Sequence, residues 1–236
     1  HKDEVRELGR SLGLPEWILM RQPFPGPAFG IRILCAEEPY MEQLGEINRK
    51  LGPYCSDDVS ATVLPVRTVG VQGDGRTYSH LVGLSGKRDW KELFDLALEI
   101  PKQIHGVNRI VYVFGEKVEG PIVEITPTCL TPDVIEQLQE ADDIVDQVMG
   151  DYKLHTSLSQ VPVVSFPVNF GKKGNRSIGI RTFMTNDFMT GVAAVPGWDI
   201  SEEALDEMVG RILNVPGISR VVYDLTSKPP GTTEWE

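Results

Sequence analysis

The chain predicts an α+β fold: two repeated units of antiparallel sheet, each with helices packed on one face. Three observations carry this. Arg67-Thr68-Val69-Gly70-Val71 is matched by Arg176-Ser177-Ile178-Gly179-Ile180 at an offset of 109 (176 − 67). Gly106-Val107-Asn108-Arg109-Ile110-Val111-Tyr112 is matched by Gly217-Ile218-Ser219-Arg220-Val221-Val222-Tyr223 at an offset of 111 (217 − 106). Two matches in one order at nearly one offset mark two copies of a structural unit. Each copy also reads as two or three strands, a helix with apolar residues at helical spacing, and a closing strand.

The elements follow in order. In residues 1–35, Val5, Leu8 and Leu12 recur at helical spacing, Gly13 sits where a C-terminal cap belongs, and Pro15 can open a second short helix. The segment reads as the tail of a preceding domain, followed by Pro23-Phe24-Pro25-Gly26-Pro27, which cannot be helix. Residues 36–60 are a polar connector with short helical potential over Met41–Leu51. The first unit, 61–150, carries a helix striped by Phe94, Ala97 and Leu98, which Pro101 should end or kink. An extra strand is expected over Pro121–Thr126, then a long acidic helix over Thr131–Val148 with Val134, Ile135, Leu138, Ala141, Ile144 and Val145 inward. Asp142 and Asp143 on that helix are expected as solvated charges. The second unit, 151–236, has a helix with Leu205, Met208, Val209 and Ile212 inward, capped by Ser201 with Glu202 and Glu203 in its first turn. Its closing strand is the apolar run Ile218–Leu225.

At 236 residues, 41% hydrophobic and 24% charged, the chain is an ordinary globular composition with length enough for a real core. A net charge of −11 opposes a nucleic-acid interface, which needs a basic face, yet permits a small anionic ligand held by a few local cations. No apolar stretch approaches the roughly 20 residues that span a bilayer, and the polar N-terminus has no signal-peptide pattern. Cys35, Cys55 and Cys129 form no Cys-x-x-Cys pair, a usage expected of reduced thiols in a cytoplasmic protein. His1, His80, His105 and His155 lack ligand spacing, so no metal site is expected. No Ser-His-Asp order or Walker loop is visible, so no catalytic residue is assigned.

Polar equipment is divided between the copies. Gly70-Val71-Gln72-Gly73-Asp74-Gly75-Arg76-Thr77 has the glycine content of a dinucleotide fingerprint in the wrong order, and reads better as a hairpin turning around Asp74-Gly75. It exists in the first copy only. The second copy alone runs on into Thr226-Ser227-Lys228-Pro229-Pro230-Gly231-Thr232-Thr233-Glu234-Trp235-Glu236. That tail places a lysine, hydroxyls, carboxylates and a tryptophan on a Pro-stiffened backbone. Either it grips a phosphorylated, aromatic ligand, or it docks Trp235 into a neighbouring surface.

The tail Lys228–Glu236, the loop Gly73-Asp74-Gly75-Arg76-Thr77-Tyr78, the Pro23–Pro27 segment and the opening His1-Lys2-Asp3-Glu4-Val5-Arg6 together resemble GMP synthase, in that family's order and over most of the chain. Two repeats resemble the longer, human-type form. The resemblance implies the C-terminal dimerisation and substrate-binding region of a carbon–nitrogen ligase, opening with a short helical remnant of the ATP pyrophosphatase domain. It implies that the full enzyme adenylates xanthosine monophosphate with ATP and Mg and displaces AMP with glutamine-derived ammonia. It also implies a homodimer working with upstream ATP pyrophosphatase and glutaminase modules, while this region holds no cofactor and is inactive alone. Carried over by position, Asp74, Gln160, Lys228 and Glu234 resemble substrate contacts, with Arg76 a further candidate of the same kind. Lys228 suits a phosphate as a compact cation; Glu234 can accept from a ribose or base edge. On the residues alone, the alternatives are Asp74 as a turn former, Gln160 as a surface residue and Arg76 as an interface ion pair. The family segment usually carries a histidine where Gln22 stands and Gly-Leu-Ala where Ala28-Phe29-Gly30 stands, which leaves room for a non-catalytic interaction module on the same fold.

Overall fold

The computed structural model describes residues 2–19, 28–185 and 189–236. The Pro23–Pro27 segment, Gln22 and His1 lie outside the described residues. The helices are α1 (Lys2–Ser11), α2 (Glu16–Leu19), α3 (Leu44–Leu51), α4 (Trp90–Gln103), α5 (Pro132–Asp151) and α6 (Glu202–Ile212). The strands are β1 (Val59–Gln72), β2 (Gly75–Gly86), β3 (Val107–Val113), β4 (Val163–Phe166), β5 (Arg176–Ile180) and β6 (Ile218–Asp224).

The fold is α+β, and the two repeats merge into a single six-stranded sheet of order β1-β2-β3-β6-β5-β4. The outer pairs β1–β2 and β4–β5 are antiparallel, and so is the central β3–β6 pair. The β2–β3 and β5–β6 pairs are parallel, which the expected antiparallel sheets did not include. The reason is connectivity: α4 lies between β2 and β3, and α6 between β5 and β6, and such crossovers return the chain in its original direction.

One large core joins α3, α4, α5 and α6 to one sheet face, including Trp90, Leu93, Leu138, Leu205 and Met208. The opposite face is closed by a smaller cluster around Leu64, Val113, Phe166, Val222 and Trp235. Ser201 caps α6 as expected, accepting from Ala204 N at 3.1 Å, and Leu205, Met208, Val209 and Ile212 are all buried. In α4 the buried face is Trp90, Leu93, Ala97 and Ile100, whereas Leu98 is exposed. Pro101 neither ends nor shortens that helix, which continues to Gln103.

Two more expectations are corrected. Residues 121–126 form no strand; their ladder contact is one bridge, Ile125 to Val168. Asp142 is no free surface charge: Arg32 Nη1 and Nη2 donate to its two oxygens at 2.5 and 3.1 Å, pinning the segment before α3 onto α5. Among the described residues no helix is long and apolar enough to cross a membrane.

Candidate functional site

The site is organised by the way the tail leaves β6. Asp224, the last residue of β6, is fully buried, and its Oδ2 receives Arg109 Nη1 of β3 at 2.6 Å and Arg181 Nη1 at 2.7 Å. The Trp235 indole N–H donates to the same oxygen at 3.1 Å, and the Thr226 amide donates to Oδ1 at 2.9 Å. Arg109 Nη2 goes on to the carbonyls of Val69 and Glu234, at 3.2 and 3.0 Å. Burial opposes ionisation of Asp224, but Arg181 and Arg109 outweigh it and hold the carboxyl below its ordinary value. Burial draws Arg109 down to about 10, with Asp224 opposing and Arg181 adding, so it stays protonated at neutral pH. One carboxylate thus fastens strands from both repeats to both ends of the tail.

The tail then runs across the first unit. Thr226 Oγ1 accepts from Ile110 N at 2.9 Å, Val71 N donates to Pro230 O at 2.7 Å, and Val69 N donates to Trp235 O at 2.8 Å. The two repeat glycines make room for it. A Cβ on Gly70 would stand 2.8 Å from Pro230 O, and one on Gly179 would stand 2.8 Å from the Trp235 ring. Trp235 is wholly buried against Phe166, ring centroids 5.4 Å apart. It is therefore a core anchor and unavailable for stacking on a ligand, as the docking alternative expected. The Thr232 hydroxyl is likewise turned inward, onto Val69 O and Glu234 O.

What the tail leaves half-buried are the Lys228 and Glu234 side chains. Lys228 pairs by backbone with Gly191, and its Nζ lies 5.9 Å from the centre of the Phe183 ring. Phe183 in turn exchanges backbone hydrogen bonds with Gln160, which is buried. Lys228 and Gln160 thus flank one short stack of chain segments. An open groove of about 480 Å³ runs there, lined by Met184, Thr190, Val192, Ser227 and Lys228.

Asp74 and Arg76 sit exposed at the β1–β2 tip. The two-residue turn is Gly73-Asp74, one position earlier than expected, because Gly75 already pairs with Gln72. Gly73 has φ +66°, the positive value a primed hairpin turn asks of its first central residue. The stem of this hairpin and the tail share a second hollow of about 310 Å³ between Gln72, Pro101, Lys102 and Pro229. Pro229 borders both hollows, so the hairpin and the Lys228 groove flank one turn of the tail.

Sequence reading passed over Arg109, Arg181 and Asp224. A signal existed: charged residues inside otherwise apolar strand runs are held only by partners of opposite charge.

Comparison with known proteins follows the same lines. The profile of the GMP synthase C terminal domain matches residues 141–235, from within α5 to the buried Trp235. The chain belongs to the GMP synthase family. A Dictyostelium discoideum protein named "GMP synthase [glutamine-hydrolyzing]" is 48% identical across all of this chain, which covers 39% of that protein. A Caenorhabditis elegans protein named "Probable GMP synthase [glutamine-hydrolyzing]" is 40% identical across all of the chain, which covers 41% of it. A Bradyrhizobium diazoefficiens GMP synthase, 41% identical, matches only 51% of the chain and 26% of its own length. The chain therefore spans about two fifths of the full-chain relatives, and some GMP synthases match half of it.

Proposed function

We propose that this chain is the part of a GMP-forming carbon–nitrogen ligase that holds xanthosine monophosphate, within purine biosynthesis in the cytoplasm. Lys228 takes the phosphate, Glu234 accepts from the ribose or base edge, and Asp74, Arg76 and Gln160 complete the contacts. ATP with Mg and the glutaminase chemistry belong to modules upstream, so the chain alone makes no GMP. Among the described residues no group of three or more His, Cys, Asp or Glu could hold a metal ion, and no magnesium role is assigned to this chain. Homodimerisation is the region's second role.

The observation that carries this reading is the tail itself. Its backbone and Trp235 are immobilised by Arg109, Asp224 and Arg181, while Lys228 borders a groove of nucleotide size. Ordering costs are thereby met by folding rather than by binding. Calorimetric titration tests it: xanthosine monophosphate should bind saturably and xanthosine, lacking the phosphate, at least about tenfold more weakly. Equal binding of the two, or of neither, would leave a non-catalytic interaction module as the better reading.

A further inference from the structure

Ala36 and Thr128 form an isolated antiparallel bridge and exchange both backbone hydrogen bonds, at 3.0 and 2.8 Å. Residues flanking such a doubly bonded pair face each other without hydrogen bonds, with Cα atoms about 4.5 Å apart. On one side of this bridge the facing residues are Cys35 and Cys129. A disulfide requires Cα atoms roughly 4.4–6.8 Å apart, so the register brings both thiols within bonding reach. The Cys35 sulfur donates to Ile33 O of its own segment at 3.6 Å. Both cysteines are free thiols, Cys35 half-buried and Cys129 exposed.

We propose that Cys35 and Cys129 are a redox-sensitive cross-strand pair that takes a small-molecule disulfide as oxidant. The exposed Cys129, as thiolate, attacks one sulfur of the oxidant, forming a mixed disulfide and expelling one thiolate. Cys35 then gives up its proton and attacks the Cys129 sulfur, displacing the second thiolate. The two protein thiols lose two electrons and two protons, and the oxidant's S–S bond becomes two thiols. Burial, with Glu236 and Cys129 adding, pushes the Cys35 thiol up, which suits it to the second step rather than to first attack. Cys55 lies elsewhere, its sulfur against Leu51 O and Ala61 N, and takes no part.

The bridge has structural reach. Ile33 pairs with Ser165 of β4, and Arg176 Nε of β5 donates to Thr128 Oγ1 at 2.9 Å. Nothing in this cross-link depends on nucleotide binding.

The test is incubation of the chain with oxidised glutathione, thiol alkylation under denaturing conditions, and mass spectrometry. Of the three cysteines, one should remain alkylatable, with a single cross-linked peptide joining Cys35 to Cys129. The thermal midpoint should rise by about 5 °C and return on reduction with dithiothreitol. Cys55→Ser should still cross-link, whereas Cys35→Ser should stop at a glutathione adduct on Cys129. Three alkylatable thiols after treatment, a stable glutathione adduct on the unsubstituted chain, or a bridge involving Cys55 would each overturn the proposal.

Discussion

Tyr112 and Tyr223 are direct partners across the β3–β6 junction, and each holds the same position in its own repeat, 111 residues apart (223 − 112). The neighbouring pairs obey the same relation. Val111 faces Asp224 and Val113 faces Val222, and under that offset the two pairs interchange. The junction is thus an isologous contact inside one chain, the self-complementary kind that joins identical subunits. The Trp90 ring meets both tyrosines edge-on, at 5.4 and 5.8 Å. The symmetry breaks in their hydroxyls: Tyr112 donates to Gly86 O, while Tyr223 donates to Ala194 O and pairs with Thr182 Oγ1.

That break gives a prediction in alkali. Burial pushes the Tyr223 phenol well above the ordinary tyrosine range, with its hydrogen bond to Thr182 opposing. A raised folded value means its stabilisation is complete below the unfolded value near pH 10 and is lost as pH climbs beyond it. Tyr223→Phe should cost about 1–2 kcal/mol at neutral pH. Urea midpoints at about pH 8 and about pH 11 should show the gap between the two proteins narrowing at the higher pH. A gap that widens would contradict the assignment.

The glycines separate close approach from mere flexibility. Gly179→Ala drives a Cβ to 2.8 Å from the Trp235 ring, where both β5 and the ring are packed, and should cost about 1–3 kcal/mol with a shift in tryptophan emission. Gly210→Ala, on the exposed side of α6 with nothing within 4 Å, should stabilise by about 0.5–1 kcal/mol. Denaturation curves of the two variants should move in opposite directions.

Much of this was legible in the sequence. The repeat is, because strand periodicity and motif order survive in both copies; so are α5, α6 and the Ser201 cap, whose signals are local. The parallel pairs were not, since a strand's residues are the same whichever direction its neighbour runs. Trp235 illustrates the limit best: its composition fits a ligand platform and a core anchor equally well. Only the spatial meeting of Phe166, Gly179 and Asp224 decides between them. Lys228 and Glu234 are candidates from sequence because they sit on a distinctive linear motif; Arg181 is not, because its partner is 43 residues away (224 − 181).

Replacing the carboxylate should be severe. Asp224→Asn leaves Arg109 and Arg181 buried without their counter-ion and should cost about 3–5 kcal/mol in urea unfolding at neutral pH. Since the folded carboxyl is held below its ordinary value, its contribution is present above the unfolded value near pH 3.8 and fades as pH falls further. Parent and variant should therefore converge in acid. A constant difference down to about pH 2 would show that geometry rather than charge is at stake.

At the ligand, Lys228→Ala should weaken xanthosine monophosphate at least about tenfold and flatten the salt dependence of binding, as loss of one phosphate cation requires. The unliganded chain should change by no more than about 0.5 kcal/mol, because the substitution leaves the backbone pairing with Gly191 intact. Calorimetry at two ionic strengths and a melting curve read both effects.

Two guanidiniums share one carboxylate beneath the tail, so a surplus positive charge is locked into the interior of a chain whose formal net charge is −11. Shielded from counter-ions, it cannot be neutralised by salt as a surface cation would be. Arg181 grips the Thr226 carbonyl, two residues along the backbone from Lys228. An ordinary rise in ionic strength would therefore dim the outer charge of Lys228 long before the inner one.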